Sequence, residues 1–275
     1  MPELPEVETV ARSMRRAVVG RTIAAVDIYK SDRIFPQREE FINLLVGATF
    51  TDVKRRGKNL LVEMSNGYTL WVHLKMTGHF YFRPSSDPIE RHDHIVFHLA
   101  DHGNDLRFND YRRFGRLRIY PTPEIMLQKG LADLGPEPLA ISAEVFTGLM
   151  KSARRMIKPA LLDQTFLAGL GNIYTDEALF RARIHPRRLT DSLSNPKTAE
   201  LHGHIRDILR QAIRLMGTSV DTFAGLDGQP GRFQKYLLVY GREGEPCLRC
   251  GRAIRRDTIG SRSAHFCPHC QKIRR

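Results

Sequence analysis

Near the start of the chain, Leu4, Val7, Val10, Ala11, Met14 and Val18 recur at helical spacing, and Gly20 ends the run. From 21 to 120 the period changes. Segments such as Thr22 to Tyr29, Asn59 to Met64, Thr69 to Leu74, His94 to Leu99 and Arg116 to Tyr120 are short and apolar or alternating. Gly and Asn-Gly punctuation separates several of them, which is the pattern of antiparallel strands. Leu134-Gly-Pro-Glu-Pro-Leu139 follows, a stiff, helix-averse stretch read as a hinge. Beyond it the helical period returns over 143–152, 159–167, 173–183 and 197–216. Pro159 suits a first helical turn, and Gly169-Leu-Gly-Asn172 breaks two helices with Asn172 at a natural N-cap position. A loop rich in Gly, Asp and Pro spans 217–231, and the chain carries no internal repeat. Strands first and helices afterwards predict an α+β protein.

Composition narrows this picture. A chain of 275 residues with 41% hydrophobic and 27% charged residues is expected to fold as one large or two ordinary domains. No apolar run approaches the ~18 residues of a membrane span, and the acidic N-terminus lacks a signal-peptide shape, so a cytosolic location is expected. The net charge of +13 calls for a polyanionic partner. Its basic residues are spread over Arg12 to Arg16, Lys54 to Lys58, Arg112 to Arg118, Lys151 to Lys158 and Arg249 to Arg256. That spread fits a groove built by several elements better than a basic tail.

All four cysteines fall in the last 29 residues, as Cys247, Cys250, Cys267 and Cys270. The spacing C-x2-C-x16-C-x2-C lies in the zinc-ribbon window, and each C-x2-C turn aims two thiolates at one tetrahedral ion. Four thiolates complete a structural site, which leaves His265 and His269 as bystanders.

The first residues carry the chemistry. Removal of Met1 would leave Pro2 with a free secondary amine. Free α-amino groups titrate near ~7.7–8.0 against ~10.4 for lysine, so the terminal amine is far more often unprotonated at neutral pH. Its adduct with an aldehyde-level carbon is an iminium, a cationic electron sink. Glu3 and Glu6 stand close enough in sequence to supply proton transfers. Alone, the stretch also reads as an ordinary helix start with proline and acids at the positive end of the dipole.

An ordered set of motifs decides between these readings. Pro2-Glu-Leu-Pro-Glu-Val-Glu-Thr9, Arg55-Arg-Gly-Lys58, His73-Leu-Lys-Met76 and Arg112-Arg-Phe-Gly115 are followed by Leu134-Gly-Pro-Glu-Pro138, Gly169-Leu-Gly-Asn-Ile-Tyr174, Val239-Tyr-Gly-Arg242 and the cysteine quartet. The chain resembles the bacterial formamidopyrimidine-DNA glycosylase family over nearly its whole length. Leu4 favours this branch over the related endonuclease VIII enzymes, which typically begin Pro-Glu-Gly-Pro.

The resemblance implies an N-terminal helix with an antiparallel β-sandwich over 1–130, a linker over 131–139, a helix-two-turn-helix DNA-binding domain over 140–240 and a zinc-ribbon hairpin over 241–275. It implies a monomeric enzyme that flips oxidised purines out of double-stranded DNA, excises them and cuts the strand at the abasic site by β,δ-elimination. One structural zinc and no organic cofactor are expected, and the enzyme is expected on the bacterial nucleoid. In this pattern Pro2 attacks C1′, Glu3 is the acid/base and Glu6 supports it, while Lys58 and Arg262 serve the catalytic site. His73, His92, Arg112, Arg154 and Asn172 hold phosphates, and Met76, Arg112 and Phe114 fill the hole left by the flipped base. The 217–231 loop covers that base. Lys75, Thr77, Tyr111, Arg154 and Gln229 depart from the residues common in the family, which leaves lesion ranking open. An endonuclease VIII-like pyrimidine specificity, a lyase without base excision and a non-catalytic zinc-ribbon protein are the competing readings.

Overall fold

Helix α1 (Leu4–Val18) begins with proline in its first turn and Glu6 near the positive end of its dipole, and closes with Arg15 and Arg16. Its apolar stripe is buried as the spacing predicts, with Leu4, Met14 and Val18 fully covered. This is a computed structural model, and it describes residues 1–219, 225–226 and 228–273. After α1 come β1 (Ile23–Ile28), β2 (Ile34–Phe35), α2 (Arg38–Leu45), β3 (Phe50–Arg56), β4 (Asn59–Met64) and β5 (Tyr68–His73). They are followed by β6 (His79–Pro84), β7 (Asp93–Leu99), β8 (Asn104–Asn109), β9 (Arg116–Pro121) and a 3-10 turn, Thr122–Leu127.

The strands make two sheets, ordered β1-β7-β8-β6 and β2-β9-β5-β4-β3. Every pairing is antiparallel except the short β2–β9 pair, which is parallel. One apolar core joins Leu60, Val62, Leu70, Val72, Leu117 and Ile119 to Phe80, Ile95, Phe97, Leu106 and Phe108. Val7, Val10 and Met14 of α1 belong to the same core, so the helix that carries the N-terminus is fixed to the sandwich by burial.

The helical part contains α3 (Ala143–Ser152), α4 (Ile157–Leu162), α5 (Asn172–Arg181), α6 (Asn195–Arg214) and a 3-10 turn, Phe233–Tyr236. It ends in an antiparallel hairpin of β10 (Arg255–Ile259) and β11 (Arg262–Phe266). Helix α4 stops earlier than the 159–167 pattern predicts. The Asp163 carboxylate accepts the Thr165 N–H at 2.9 Å and its hydroxyl at 2.8 Å, and this local turn competes with further helix. No helix among the described residues is long and apolar enough to cross a membrane.

Two compact units emerge, Met1–Ala132 with Leu215–Arg232, and Asp133–Arg214 with Phe233–Arg275. The division at 132/133 falls in the expected 131–139 linker, while 215–232, expected with the helices, groups with the sandwich, and the cysteine hairpin groups with the helices. The segment read as a hinge packs into the second unit. A Cβ on Gly135 would sit 2.5 Å from the Thr165 carbonyl, and the Gly135 N–H donates to Gln164 O at 2.9 Å.

Candidate active site, nucleic-acid contacts and metal centre

In the first unit, Pro2, Glu3 and Glu6 are all buried at the start of α1. The Glu3 N–H donates to Glu6 Oε2 at 2.8 Å, and the Thr218 N–H donates to Glu6 Oε1 at 2.7 Å. Glu6 therefore spends both oxygens on the backbone, one of them on a residue 212 positions away. This approach requires glycine at 217: its φ is +80°, and a Cβ there would lie 2.7 Å from Glu6 Oε1. The loop expected to cover the flipped base continues from this contact, and its residues 220–224 and 227 lie outside those described.

Lys58 occupies the two-residue loop Gly57–Lys58 between β3 and β4, where Arg56 pairs with Asn59. Gly57 has φ +56°, as a tight hairpin with glycine in first place requires. Arg55 braces the loop from below, donating from Nη1 to Gly57 O at 3.0 Å and from Nε to Glu8 Oε2 at 2.8 Å. Glu8 belongs to α1, so this ion pair ties the lysine loop to the helix that bears Pro2. Burial raises the Glu8 carboxyl, but Arg55 and Arg12 outweigh it and hold the group below its usual range.

His73 ends β5, where burial first, and then Lys75, Lys58 and Arg116, lower its pKa to about 3. The ring stays neutral, and its Nδ1 accepts the Lys75 N–H at 3.0 Å. The remaining proton therefore sits on Nε2, which leaves a donor suited to a phosphate oxygen. His92 is half-buried just before β7, and its carbonyl accepts the Asp110 N–H at 3.0 Å.

Met76 and Phe114 are large apolar side chains left 41% and 43% exposed, which removes the core-packing explanation for both. Phe114 lies in the loop ahead of β9, and the exposed Arg112 places its guanidinium carbon 5.0 Å above the Phe114 ring. A buried carboxylate joins the loops that carry them. Asp110 accepts the Thr77 hydroxyl through Oδ1 and the Gly115 N–H through Oδ2 at 2.7 Å, and Thr77 Oγ1 accepts the Arg112 N–H at 3.2 Å. Asp110, like Glu8, gives no periodic signal, and only the folded chain shows what it does.

In the second unit, Asn172 is the first residue of α5 and the N-cap is Gly171, one position earlier than the sequence predicts. Its amide is drawn instead to the hairpin, donating to Ser263 Oγ at 3.2 Å. Lys158 and Asp176 form a fully buried pair at 2.5 Å. The Lys158 ammonium also donates to the Ser263 carbonyl, and Asp176 Oδ2 accepts the His265 N–H at 2.9 Å. These contacts together hold β11, whose first residue is the exposed Arg262. The two-residue turn before it again places glycine first, with Gly260 at φ +63°. Arg154 projects with its side chain 84% exposed, 3.9 Å from the Asp191 carboxylate.

The four cysteine sulfurs lie within 4.8 Å of one another. Cys247–Cys270 and Cys250–Cys267 are separated by 4.0 and 3.5 Å, bracketing the ~3.8 Å edge of a tetrahedron with ~2.3 Å zinc–sulfur bonds. Backbone N–H groups of Arg249 and Cys270 point at Cys247 and Cys267 sulfurs at 3.5 and 3.4 Å. This geometry fits one structural Zn2+ with no open position for catalysis.

Residues 1–117 match the formamidopyrimidine-DNA glycosylase N-terminal domain, 134–224 its H2TH domain and 244–273 the zinc finger found in FPG and IleRS. Formamidopyrimidine-DNA glycosylases of Pelotomaculum thermopropionicum and Desulforamulus reducens are 46% and 44% identical over the full length of both chains. The chain belongs to the formamidopyrimidine-DNA glycosylase family. Among solved structures of this family, a point mutant of the Lactococcus lactis enzyme with DNA containing Fapy-dG superposes with a TM-score of 0.93 at 36% identity, covering 99% of this chain and 100% of that one. The L. lactis enzyme with abasic-site DNA gives 0.93 at 37%, covering 98% and 100%. The α+β architecture, the helical H2TH domain and the zinc-finger hairpin are those of the family.

Proposed function

We propose that this chain is a bifunctional DNA glycosylase and abasic-site lyase that removes 8-oxoguanine and formamidopyrimidines from duplex DNA in base-excision repair. The observation that carries the reading is the buried Pro2-Glu3-Glu6 start of α1 in a chain matching family members from end to end. Similarity to L. lactis enzymes bound to Fapy-dG and abasic DNA supports the substrate class.

With Met1 removed, the Pro2 nitrogen bonds to C1′ as the base leaves with its glycosidic electron pair. The bonded Pro2 nitrogen releases its proton, Glu3 delivers one to the ring oxygen O4′, and the C1′–O4′ bond breaks to leave an iminium between Pro2 and C1′. The iminium acidifies C2′–H; loss of that proton expels the 3′ phosphate, and a second elimination expels the 5′ phosphate. Glu6, with both oxygens on backbone N–H groups, orients Glu3 rather than moving protons itself. Lys58 and the neutral His73 serve phosphate and proton transfer on the sandwich, and Arg262 grips phosphate from the hairpin. His92, Arg154 and Asn172 add backbone contacts, and Met76, Arg112 and Phe114 enter the vacated space, with Arg112 facing the orphaned base. The protein works as a monomer in the cytoplasm, on the nucleoid.

Sodium borohydride should trap a covalent adduct on duplexes carrying 8-oxoguanine or formamidopyrimidine, with faster turnover than on oxidised pyrimidine. Undiminished trapping by protein that keeps an N-terminal extension would remove Pro2 as the nucleophile. Turnover on abasic sites alone would make the chain a lyase.

A further inference from the structure

The outer face of the five-stranded sheet gathers cations that the reaction above does not use. In the β5–β9 register His73 lies opposite Arg116 and Trp71 opposite Arg118, so Arg116 and Arg118 share one face with His73. Arg118 stands 5.3 Å over the Trp71 ring, and Arg116 is exposed. Arg33, Arg116 and Arg118 line a cavity of about 380 Å³ with Phe35 and Tyr120. Among the described residues the one carboxylate in that lining, Asp32, is already paired with Arg113 at 2.9 Å and lies 3.9 Å from Arg33.

Lys75 completes the group. It follows β5 with φ +56°, a left-handed conformation that side chains other than glycine adopt at a cost. Burial first, then Arg116 and Arg118, depress the proton affinity of its ammonium. Among the described residues no carboxylate forms an ion pair with Lys75, Arg116 or Arg118. The fold therefore holds three like charges together, one of them on unfavourable backbone, without a counter-ion from those residues. Such an arrangement is relieved by an external anion. Arginine forks suit phosphate oxygens, and two residues apart on one strand face they stand ~7 Å from each other, close to the spacing of neighbouring phosphates on one DNA strand.

We infer that Lys75, Arg116 and Arg118 form an additional phosphate-binding site that continues the His73 contact along the backbone of the same DNA. The site rests on the reading of this sheet face as DNA-binding, and its ligand is a phosphodiester rather than free phosphate.

The test uses undamaged duplex, so lesion chemistry does not enter. Each phosphate contact contributes about −0.9 to the slope of log affinity against log salt. The double variant Arg116→Gln/Arg118→Gln should make that slope shallower by about two, and Lys75→Gly by about one. Lys75→Gly should also raise the melting temperature of the free protein, since glycine accepts the backbone angle and one repulsive charge is gone. A purely structural lysine would give lower melting and an unchanged slope. Slopes equal to wild type in both variants overturn the proposal. So does inorganic phosphate, at fixed ionic strength, stabilising wild type over the variants while the DNA slopes stay equal. Borohydride trapping by wild type on lesion duplex reports the glycosylase reading separately: its failure would refute that reading and leave the slope comparison standing.

Discussion

Glu6 and Gly217 show how far a single residue's role extends beyond its own segment. The carboxylate has no unused oxygen, and the glycine has no room for a methyl group. Gly217→Ala adds both a left-handed strain and a 2.7 Å contact, so a stability loss of about 1–3 kcal/mol is expected together with slower adduct formation. Thermal melting and borohydride trapping check this, and normal values in both would show that Glu6 tolerates displacement. Glu8 makes a second residue-level case. Its folded carboxyl lies below the ordinary value of 4.5, so the stability it brings is present above that pH and is lost as pH falls through the depressed value. Glu8→Gln should weaken acid resistance less than neutral stability, and it should slow trapping by loosening the Lys58 loop. Pro2, Glu3 and Glu6 were legible because one short run contains them. Thr218 and Gly217 were not, because no local pattern links positions 212 residues apart.

Turns rather than regular elements place the chemical groups. Both Lys58 and Arg262 depend on two-residue hairpins with glycine first, and the Asp110 carboxylate joins the two loops expected to enter the duplex. Arg112→Ala should relax the preference for cytosine opposite 8-oxoguanine, measured as turnover on cytosine and adenine pairs. Equal losses on every opposing base would reduce Arg112 to a positioning charge. Asp110→Ala frees both loops and leaves buried donors unpaired, at about 1–3 kcal/mol for each. It should slow turnover on all pairs alike, a signature that separates it from Arg112→Ala. The hairpin of β10 and β11 makes a different demand. The cluster beneath the cysteines is small, Phe180, Val239 and Ile254 with Cys247 and Cys267, so the metal completes its packing. Chelation, or Cys247→Ser, should abolish DNA binding while the sandwich retains its far-UV signal; repair by zinc-free protein would contradict this. The element types were readable from periodicity, and β4 matches its predicted bounds. The shorter α4 and the Gly171 cap were missed because side-chain turns at Asp163 and the hairpin contact of Asn172 override local preference.

Across the whole molecule, buried histidines add to the acid response of carboxylates such as Glu8. Burial leads in lowering His94, His185 and His202 below 6.5, and it takes His73 to about 3. Each is neutral in the fold where the unfolded chain would take a proton. Their stability is therefore complete above 6.5 and lost as pH falls through the folded values, for His73 down to about 3. His98 has the opposite sign: burial opposes its charge, but Asp27 and Asp105 outweigh it. Its contribution is full below 6.5 and lost as pH rises through the raised value. The melting temperature should fall between about pH 6.5 and 4, and His98→Gln should remove part of the decline seen on the alkaline side. Flat melting across that acid range would show that the buried imidazoles titrate normally. Charge and the cysteine quartet made the polyanion partner and the metal legible at this scale. The return of 215–232 to the sandwich was not, because that segment has no strand or helix period to give it away.

That return has a consequence for the chain as it is made. The first unit lacks a piece until residue 232 has been synthesised, 100 residues after its main part ends at 132. At ~5–20 residues per second the ribosome needs about 5–20 s for that stretch. During this interval the sandwich can form, but Glu6 has no Thr218 to hold it. On the proposed roles of Pro2 and Glu3, a nascent chain presents its N-terminal amine before Thr218 is there to hold Glu6, and competence to cut DNA arrives only when translation is nearly over.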